Sequence, residues 1–281
     1  MSSVPAAGVA AAIDALGLAR PVVTPLAGGI LNRSFRVREG DEDLVLKLAG
    51  EAAPGLGASR RSEFAMQALA AGGGLAPPVV LADEARGFIV SRHASGRTPS
   101  AGEMHDARLL VRVGAWIAAL HALPPPVGLA VVDFGERAAG YLSRLQAGSP
   151  GGLAIRLAKE LTARRAALPR PAQLAACHHD LHHRNFIDDG RRLLAIDWEY
   201  AGPGDPAADL ASCIGYHGLR DDGVDALLAG YGQEGAGLRE RVAQLTWIFD
   251  CLWYGWNAVA GLSGSAPDPH EQERLAARLL Q

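Results

Sequence analysis

The sequence is poor in several features that define whole classes of protein. Its three cysteines are scattered and form no CxxC pair, which argues against a disulfide framework and favours reduced thiols. No apolar run reaches the roughly 18 to 20 residues of a membrane span, and no cationic stretch precedes the first apolar residues as it does in a secretory signal. The charges nearly cancel, with 27 basic and 30 acidic side chains, so a basic nucleic-acid-binding surface is not expected. We therefore expect a cytoplasmic protein without membrane insertion or nucleic-acid partners.

The pattern of apolar residues changes near Ser91 and predicts two parts of different structure. At about 150 residues per domain, 281 residues are enough for two domains. Before Ser91, short apolar segments predict strands around one interior helix, whereas later segments repeat their apolar residues at helical spacing. We predict a β-rich N-terminal lobe over residues 1–91 and a mostly helical C-terminal lobe over residues 92–281, with a ligand cleft between them. The predicted strands are residues 34–38, 44–48, 77–81, 87–90, 186–187 and 193–196, and the predicted helices include residues 6–18, 60–71, 109–120, 138–145 and 155–168.

Most of the residues that suggest chemistry lie in one segment, from Cys177 to Leu210. Asp180 precedes a predicted hairpin, Asn185 enters it, and Asp197 directly follows its second apolar strand. A carboxylate at the end of a buried strand is costly unless it meets a cation. Carboxylate and amide oxygens are hard ligands that suit Mg²⁺ together with phosphate oxygens. The segment therefore predicts a metal or ion-pair site, with a purely structural polar cluster as the alternative.

Three motifs follow one another in this segment. HHDLHHRN at residues 178–185 fits the pattern HxDxxxxN, IDWEY occupies residues 196–200, and GDP at 204–206 leads into DLA at 209–211. In this order they resemble the catalytic loop, metal-binding motif and downstream aspartate of the aminoglycoside phosphotransferase and choline kinase superfamily, relatives of the protein kinases. The resemblance implies an α+β, bilobal protein-kinase-like fold, with an antiparallel sheet and one helix in the N-lobe and a mostly helical C-lobe. It also implies that Asp180 is catalytic, that His178 orients the loop, and that Asn185 and Asp197 bind Mg²⁺.

A nucleotide-binding region upstream is the second requirement of this resemblance. Gly28, Gly29 and Asn32 precede the first predicted strand, in the place of the family's Gly-rich nucleotide loop. The resemblance implies that this loop and Lys47, paired with Glu63, contact the phosphates of ATP. From the residues alone, the two glycines also fit an ordinary hairpin turn. Lys47 likewise fits the solvent-facing side of its strand, because strand alternation is compatible with both positions.

The histidines at residues 178–183 suggest a rival class of function. His178 and His182, like His179 and His183, are four residues apart, and on a helix such pairs can bind zinc. A zinc hydrolase is the less favoured hypothesis, because the sequence has no HExxH and no acidic third ligand at a spacing specific to a zinc enzyme.

The acceptor is suggested by a concentration of rare residues. Aromatic residues make up only 6% of the chain, yet three of the five tryptophans lie within residues 246–257. On a helix, Asp250, Trp253 and either Trp256 or Asn257 share one face, and a carboxylate beside aromatic rings can hold a quaternary ammonium group. The run LWYGW at 252–256 resembles the helix that supplies aromatic residues in choline kinases, and the resemblance adds Tyr200 as an acceptor contact. The tryptophans also fit ordinary core packing.

The predicted function is therefore an ATP-dependent kinase for the hydroxyl of a cationic amino alcohol, with choline or ethanolamine as acceptor and Mg²⁺ as cofactor. Glu199 is expected to assist the metal or to bind the cationic end of the acceptor. The run IDWEYAG resembles thiamine kinases as closely, so thiamine is the alternative acceptor. An aminoglycoside phosphotransferase and a non-catalytic kinase-fold binding module are further alternatives, and the protein is expected to be a monomer or homodimer.

Overall fold

The computed structural model describes residues 6–26, 32–49, 59–148, 152–232, 236–262 and 269–280. Gly28 and Gly29, predicted to contact nucleotide phosphates, lie outside the described residues. The described helices are α1 (Ala6–Leu16), α2 (Arg60–Gly72), α3 (Ala107–His121), α4 (Phe134–Gly148), α5 (Gly152–Ala167), α6 (Pro206–His217), α7 (Asp221–Tyr231), α8 (Ala236–Leu262) and α9 (Pro269–Leu279). The described strands are β1 (Val22–Leu26), β2 (Asn32–Glu39), β3 (Glu42–Ala49), β4 (Val79–Asp83), β5 (Phe88–Arg92), β6 (Ala175–Cys177), β7 (Phe186–Asp188), β8 (Leu193–Ala195) and β9 (Gly202–Gly204).

A five-stranded antiparallel sheet, in the order β1-β2-β3-β5-β4, forms the N-lobe. The leucines at 44, 46 and 48 point to one face of β3 and pack with α1 in a common core. Because side chains alternate along a strand, Lys47 lies on the opposite face. There it stands opposite Ser34 of β2 and Ile89 of β5, at the side of the sheet that lines the cleft. This excludes the alternative in which Lys47 faces bulk solvent.

The helix α2 lies between the first and second predicted strand pairs, as the sequence indicates. It begins after Ser59, whose side chain accepts a hydrogen bond from the backbone N–H of Ser62. It ends at Gly73, whose backbone N–H returns to the carbonyls of Leu69 and Ala71. The start of the helix after Ser59 places Glu63 in the first turn, where its side chain is buried and faces the sheet.

The C-lobe is built from helices around a core that includes Trp116, Phe186 and Trp198. The helices α3 and α7 meet at a glycine on each side. A Cβ atom on Gly114 would lie 2.1 Å from the carbonyl oxygen of Leu227, and one on Gly230 would lie 2.1 Å from that of Val111. Glycine is therefore required at both positions for the helix backbones to approach this closely.

The structure confirms the α+β fold class with its antiparallel N-lobe sheet and mostly helical C-lobe. The sequence analysis missed β1, whose edge position tolerates Pro25 and whose exposed residues do not alternate clearly. It also missed β6 and β9, which pair with each other over three residues each. No helix among the described residues is both long enough and apolar enough to cross a bilayer. The boundary near Ser91 stays a prediction.

Candidate active site

One buried carboxylate, that of Asp209, holds the loop between β6 and β7 in place. Asp209 of α6 accepts the backbone N–H of His178 at 2.9 Å and that of His179 at 2.6 Å. Its carboxylate also lies 3.1 Å from Nε2 of His121. Burial by itself raises the pKa of Asp209, but these hydrogen bonds outweigh it and lower the pKa to about 2. Asp209 thus stays ionised and fixes the start of the loop.

His178 connects this loop to the strand that precedes Asp197. Its Nε2 lies 3.0 Å from the carbonyl oxygen of Ile196, and its ring packs against Trp198 at 4.5 Å between centroids. Burial lowers the pKa of His178, so the neutral imidazole donates to the carbonyl. The side chain is fully buried and does not line the cavity, a position suited to orienting the loop rather than touching a substrate.

Asp180 is the carboxylate that this loop presents to the cavity. The hydroxyl of Tyr216 donates to its Oδ1 at 2.5 Å, and Nδ2 of Asn185 donates to its Oδ2 at 2.9 Å. Nε2 of His182 lies 3.8 Å from Oδ2. These neighbours hold the carboxylate in one orientation. Sequence reasoning missed Tyr216, although it lies seven residues after Asp209 and so on the same face of α6.

A second cluster of charges surrounds Lys47. Its Nζ lies 2.6 Å from Oε1 of Glu63, 2.5 Å from Oδ1 of Asp197 and 4.0 Å from Oε2 of Glu199. Burial lowers the pKa of Lys47, but the nearby carboxylates outweigh burial and raise the pKa above its ordinary value. Asn32, predicted to belong to the nucleotide loop, donates through Nδ2 to Oε2 of Glu199.

The two carboxylates beside Lys47 respond in opposite directions. Burial raises the pKa of Asp197, but the ammonium of Lys47 outweighs it and the pKa is lowered. For Glu199, burial and the charge of Asp197 raise the pKa further than Lys47 lowers it. One ammonium therefore does not compensate both carboxylates, and a further cation would stabilise the ionised pair.

The side-chain oxygens near Lys47 and Asp180 are of the kind that binds Mg²⁺. The side-chain Nδ2 of Asn185 donates two hydrogen bonds to Asp180, one to its backbone carbonyl oxygen and one to Oδ2. The amide oxygen Oδ1 of Asn185 takes no part in these two bonds. Asn185, Asp197 and Glu199 all line the cavity, and all three offer hard oxygen ligands. Asp197 adopts a left-handed backbone conformation with φ of 65°, a strained geometry typical of functional positions.

The zinc hypothesis receives no geometric support. Residues 178–182 form a loop and residues 183–185 a short 3₁₀ turn, so the histidine pairs do not share a helix face. In the described part of the chain, the one cluster of three His, Cys, Asp or Glu side chains with ligand atoms within 4.8 Å of one another consists of His121, Cys177 and Asp209. His121 is already hydrogen-bonded to Tyr231, and Asp209 already accepts hydrogen bonds from the backbone of the loop.

One cavity of about 610 Å³ lies between the sheet and the helices, and its volume is within the usual range for small-ligand sites. Its lining includes Lys47, Asp180, Asn185, Asp197 and Glu199. At the C-lobe side its wall is aromatic, and we call this region the aromatic end: Phe134, Tyr141, Tyr200, Tyr216, Trp253 and Trp256. Trp253 and Trp256 stack with centroids 5.1 Å apart at 14°, and Nε1 of Trp256 donates to the hydroxyl of Tyr200 at 3.0 Å. The structure thus brings Tyr200, Trp253 and Trp256 together, as predicted.

Asp250 is the predicted acceptor residue that the structure does not bring to the cavity. Its carboxylate forms an ion pair with Arg278 of α9 and lies outside the cavity lining. Burial raises the pKa of Asp250 to about 7, more than Arg278 lowers it. The shared helix face was too coarse a criterion, because α9 covers that part of α8. Instead, the aromatic end contains a residue that the sequence analysis did not identify, Arg137 of α4.

Comparisons with known proteins agree with this geometry. Residues 22–245 match the family described as "Phosphotransferase enzyme family". A thiamine kinase from Shigella boydii is 45% identical over 58 residues, which are 21% of this chain and 20% of that protein; the match thus spans only about a fifth of the relative. A thiamine kinase from Escherichia coli K12 matches over the same length with the same identity.

Solved structures with the same fold include several small-molecule kinases. A choline/ethanolamine kinase family protein from Mesorhizobium loti has a TM-score of 0.75 and 27% identity, with 93% of this chain and 87% of that chain covered. The choline kinase LicA from Streptococcus pneumoniae has a TM-score of 0.78 and 22% identity, with 97% and 96% covered. The ADP-bound aminoglycoside phosphotransferase APH(2'')-Ib has a TM-score of 0.67 and 14% identity, with 99% and 97% covered. Because the family match covers most of the chain, this protein belongs to the phosphotransferase enzyme family, as its motifs indicated.

Proposed function

We propose that this protein transfers the γ-phosphoryl group of ATP to a hydroxyl group of a small molecule bound at the aromatic end. The observation that carries the proposal is that Asp180 and the ion-paired Lys47 line the same cavity. A phosphoryl-transfer site needs a cation for the phosphates and an acceptor for the proton of the attacking hydroxyl. In this proposal the two groups supply these roles within one cavity.

In this mechanism Lys47, held by Glu63, binds oxygens of the α- and β-phosphates. Asp180 accepts a hydrogen bond from the acceptor hydroxyl and aligns its oxygen with the γ-phosphorus. A new O–P bond forms as the bond to the β-phosphate oxygen breaks, and the hydroxyl proton passes to Asp180. Mg²⁺ held by Asn185 and Asp197 would neutralise charge on the phosphate oxygens. Positioning and electrostatics supply most of the rate enhancement in such reactions.

The finer choice of acceptor, with choline or ethanolamine first and thiamine as the alternative, stays a prediction. The aromatic end supports it, since Tyr200, Trp253 and Trp256 line the same wall. The names of the choline kinase structures and the thiamine kinase segments add to that support. The carboxylate expected from Asp250 is missing from the wall, because it pairs with Arg278.

The test is acceptor-dependent ADP release from ATP and Mg²⁺, measured with choline, ethanolamine, thiamine and an aminoglycoside in separate reactions. We expect acceptor-dependent turnover by the natural chain and its near loss in Asp180→Asn. Asp189→Asn is the matched control, because Asp189 is an exposed carboxylate of the neighbouring hairpin outside the cavity lining. If Asp180→Asn kept the natural rate, the site assignment would be wrong. Mg²⁺-dependent ATP binding without turnover of any alcohol would favour the non-catalytic module.

A further inference from the structure

We propose that a second cavity of the C-lobe binds a small amphipathic anion, a molecule with one carboxylate, sulfonate or phosphate head group on an apolar body. This cavity lies between α5, α8 and the end of α9, and we call it the basic groove. Its lining includes Arg156, Lys159, Arg164, Trp247, Leu279 and Leu280. Its volume of about 470 Å³ is within the range of small-ligand sites. Among the described residues it shares no lining residue with the cavity that contains Asp180, so the inference is independent of the proposed phosphotransfer.

The floor of the basic groove is apolar. Leu157 and Leu279 both line it, and both are buried members of the C-lobe core. Trp247 is partly buried and packs against the same core, whereas Leu280 is exposed at the rim. An apolar side chain that packs on one side and stays open on the other leaves area that a ligand removes from water when it binds. The basic groove therefore offers a concave apolar surface for an alkyl chain or a ring.

The helix α5 concentrates positive charge, although the chain as a whole has a net charge of −3. It contains four basic residues, at positions 156, 159, 164 and 165, and one acidic residue, Glu160. Helical spacing places Arg156, Lys159 and Arg164 on one face. This face lines the basic groove. The charge of the face favours an anion over a cation.

Arg164 is fixed at the wall of the basic groove by two contacts. Its Nε lies 2.8 Å from Oε1 of Glu160, and its guanidinium carbon lies 4.3 Å from the ring centroid of Trp247. An arginine at this distance is attracted by the face of an indole ring. The apolar surface of the groove is thus bordered by a cation whose own charge already has a partner.

The charge without a counter-ion lies at Arg156 and Lys159. The remaining cation of α5, Arg165, lies 3.8 Å from Asp133 and 3.6 Å from Glu136. Neither Arg156 nor Lys159 forms a side-chain hydrogen bond or an ion pair with any residue that the structure describes. The two are three residues apart and so are neighbours on the helix surface. One anionic head group would accept charge-assisted hydrogen bonds from both, while its apolar body packs against the indole ring.

Eight-carbon compounds that differ in the charge of the head group test this. Octanoate, octan-1-ol and octylammonium carry charges of minus one, zero and plus one at pH 7, and acetate supplies the head group without the apolar body. Binding is followed at the indole N–H signals of protein labelled with nitrogen-15, one signal for each of the five tryptophans. Trp247 reports on the basic groove, whereas Trp253 and Trp256 report on the aromatic end. Loss of one signal in Trp247→Phe assigns it.

We expect octanoate to shift the Trp247 signal with a Kd about tenfold lower than that of octylammonium, which corresponds to about 1.4 kcal/mol. Octan-1-ol should lie between them, and acetate should shift the signal little. Joint replacement by Arg156→Gln and Lys159→Gln should weaken octanoate binding about tenfold and leave octan-1-ol within about twofold. Arg191→Gln with Arg220→Gln is the matched control: it removes two exposed positive charges outside both cavities and should keep the octanoate affinity.

Equal affinities for octanoate and octylammonium at the Trp247 signal of the natural chain would overturn the inference. Unchanged octanoate binding in the folded double variant would do so too, as would shifts confined to the tryptophans of the aromatic end. Phosphatidylcholine vesicles with and without phosphatidylglycerol form the last arm. Binding to the anionic vesicles without binding of free octanoate would indicate a membrane surface and refute the small ligand. The comparison in the natural chain stands even if a variant fails to fold, and it needs no turnover.

Discussion

Replacement of Tyr216 by phenylalanine tests how Asp180 is held in place. The hydroxyl of Tyr216 donates to Oδ1 of Asp180 at 2.5 Å, and its ring packs against Phe249 and Trp253 with centroids 4.8 and 4.9 Å away. Phenylalanine keeps those ring contacts and removes only the hydrogen bond. The variant should therefore fold and present a carboxylate that is less well oriented.

The expected loss of rate follows from the strength of that bond. A hydrogen bond to a charged group contributes about 1.5 to 3 kcal/mol. At 1.36 kcal/mol per tenfold change, its full loss in the transition state lowers kcat by about 10- to 160-fold. The KM for ATP should change by less than about twofold, because the hydrogen bonds and ring contacts of Tyr216 among the described residues do not involve Lys47 or its partners.

The assay is steady-state ADP release at saturating acceptor, together with the melting temperature. We expect the melting temperature to fall by about 3 to 12 °C, the usual scale for a change of about 1.5 to 3 kcal/mol in a chain of this size. Tyr254→Phe removes the hydroxyl of a partly buried tyrosine outside the cavity lining and serves as control, with kcat unchanged. A folded Tyr216→Phe with natural kcat would refute the positioning role. A parallel fall of kcat and melting temperature in both variants would show a structural effect alone.

Three further predictions concern two groups that line the cavity and one that lies outside it. Trp253→Ala should raise the acceptor KM at least about tenfold and leave the ATP KM within about twofold, measured by varying each substrate; equal effects on both would indicate core packing. Asp250→Asn should leave the acceptor KM unchanged, because Asp250 pairs with Arg278 outside the lining, and a large rise would restore the predicted cage. Burial and Asp197 raise the pKa of Glu199 from 4.5 to about 8, so the folded state holds this proton more tightly and stability falls as the pH rises from about 4.5 through 8. Glu199→Gln should therefore raise the melting temperature at pH 9 without Mg²⁺ and change it little at pH 4, and equal shifts at both pH values would contradict the assigned cause.

Much of the fold could be read from local patterns. The alternating residues of β2 and β3 predicted their hairpin, and the apolar spacing from Leu109 to Leu120 predicted α3. These patterns succeed because one face of each element is buried and the other is not. The strands β6 and β9 could not be found this way, because three residues are too few to show alternation.

The acceptor wall shows where local patterns fail. Helical spacing placed Asp250 on the same face as Trp253, yet α9 supplies Arg278 and draws the carboxylate away from the cavity. The seven-residue spacing between Asp209 and Tyr216 could have predicted that both lie on one face of α6. Nothing in the sequence, however, predicts that the hydroxyl of Tyr216 donates to Asp180. No sequence motif includes Arg137, and a single arginine on an amphipathic helix usually faces solvent. Only the packed structure shows that it lines the cavity.

The sequence by itself determined the fold class, the family and the order of the chemical groups along the chain. Periodicity and short motifs encode these locally, within a few turns or one loop. Tertiary structure alone decided which groups meet, since Lys47 reaches Glu63 16 residues away and Asp197 150 residues away. It also decided which side chains line the aromatic end, because Arg137 lies there and Asp250 does not. Electrostatic interactions depend on distance in space, and distance in space is a property of the packed chain.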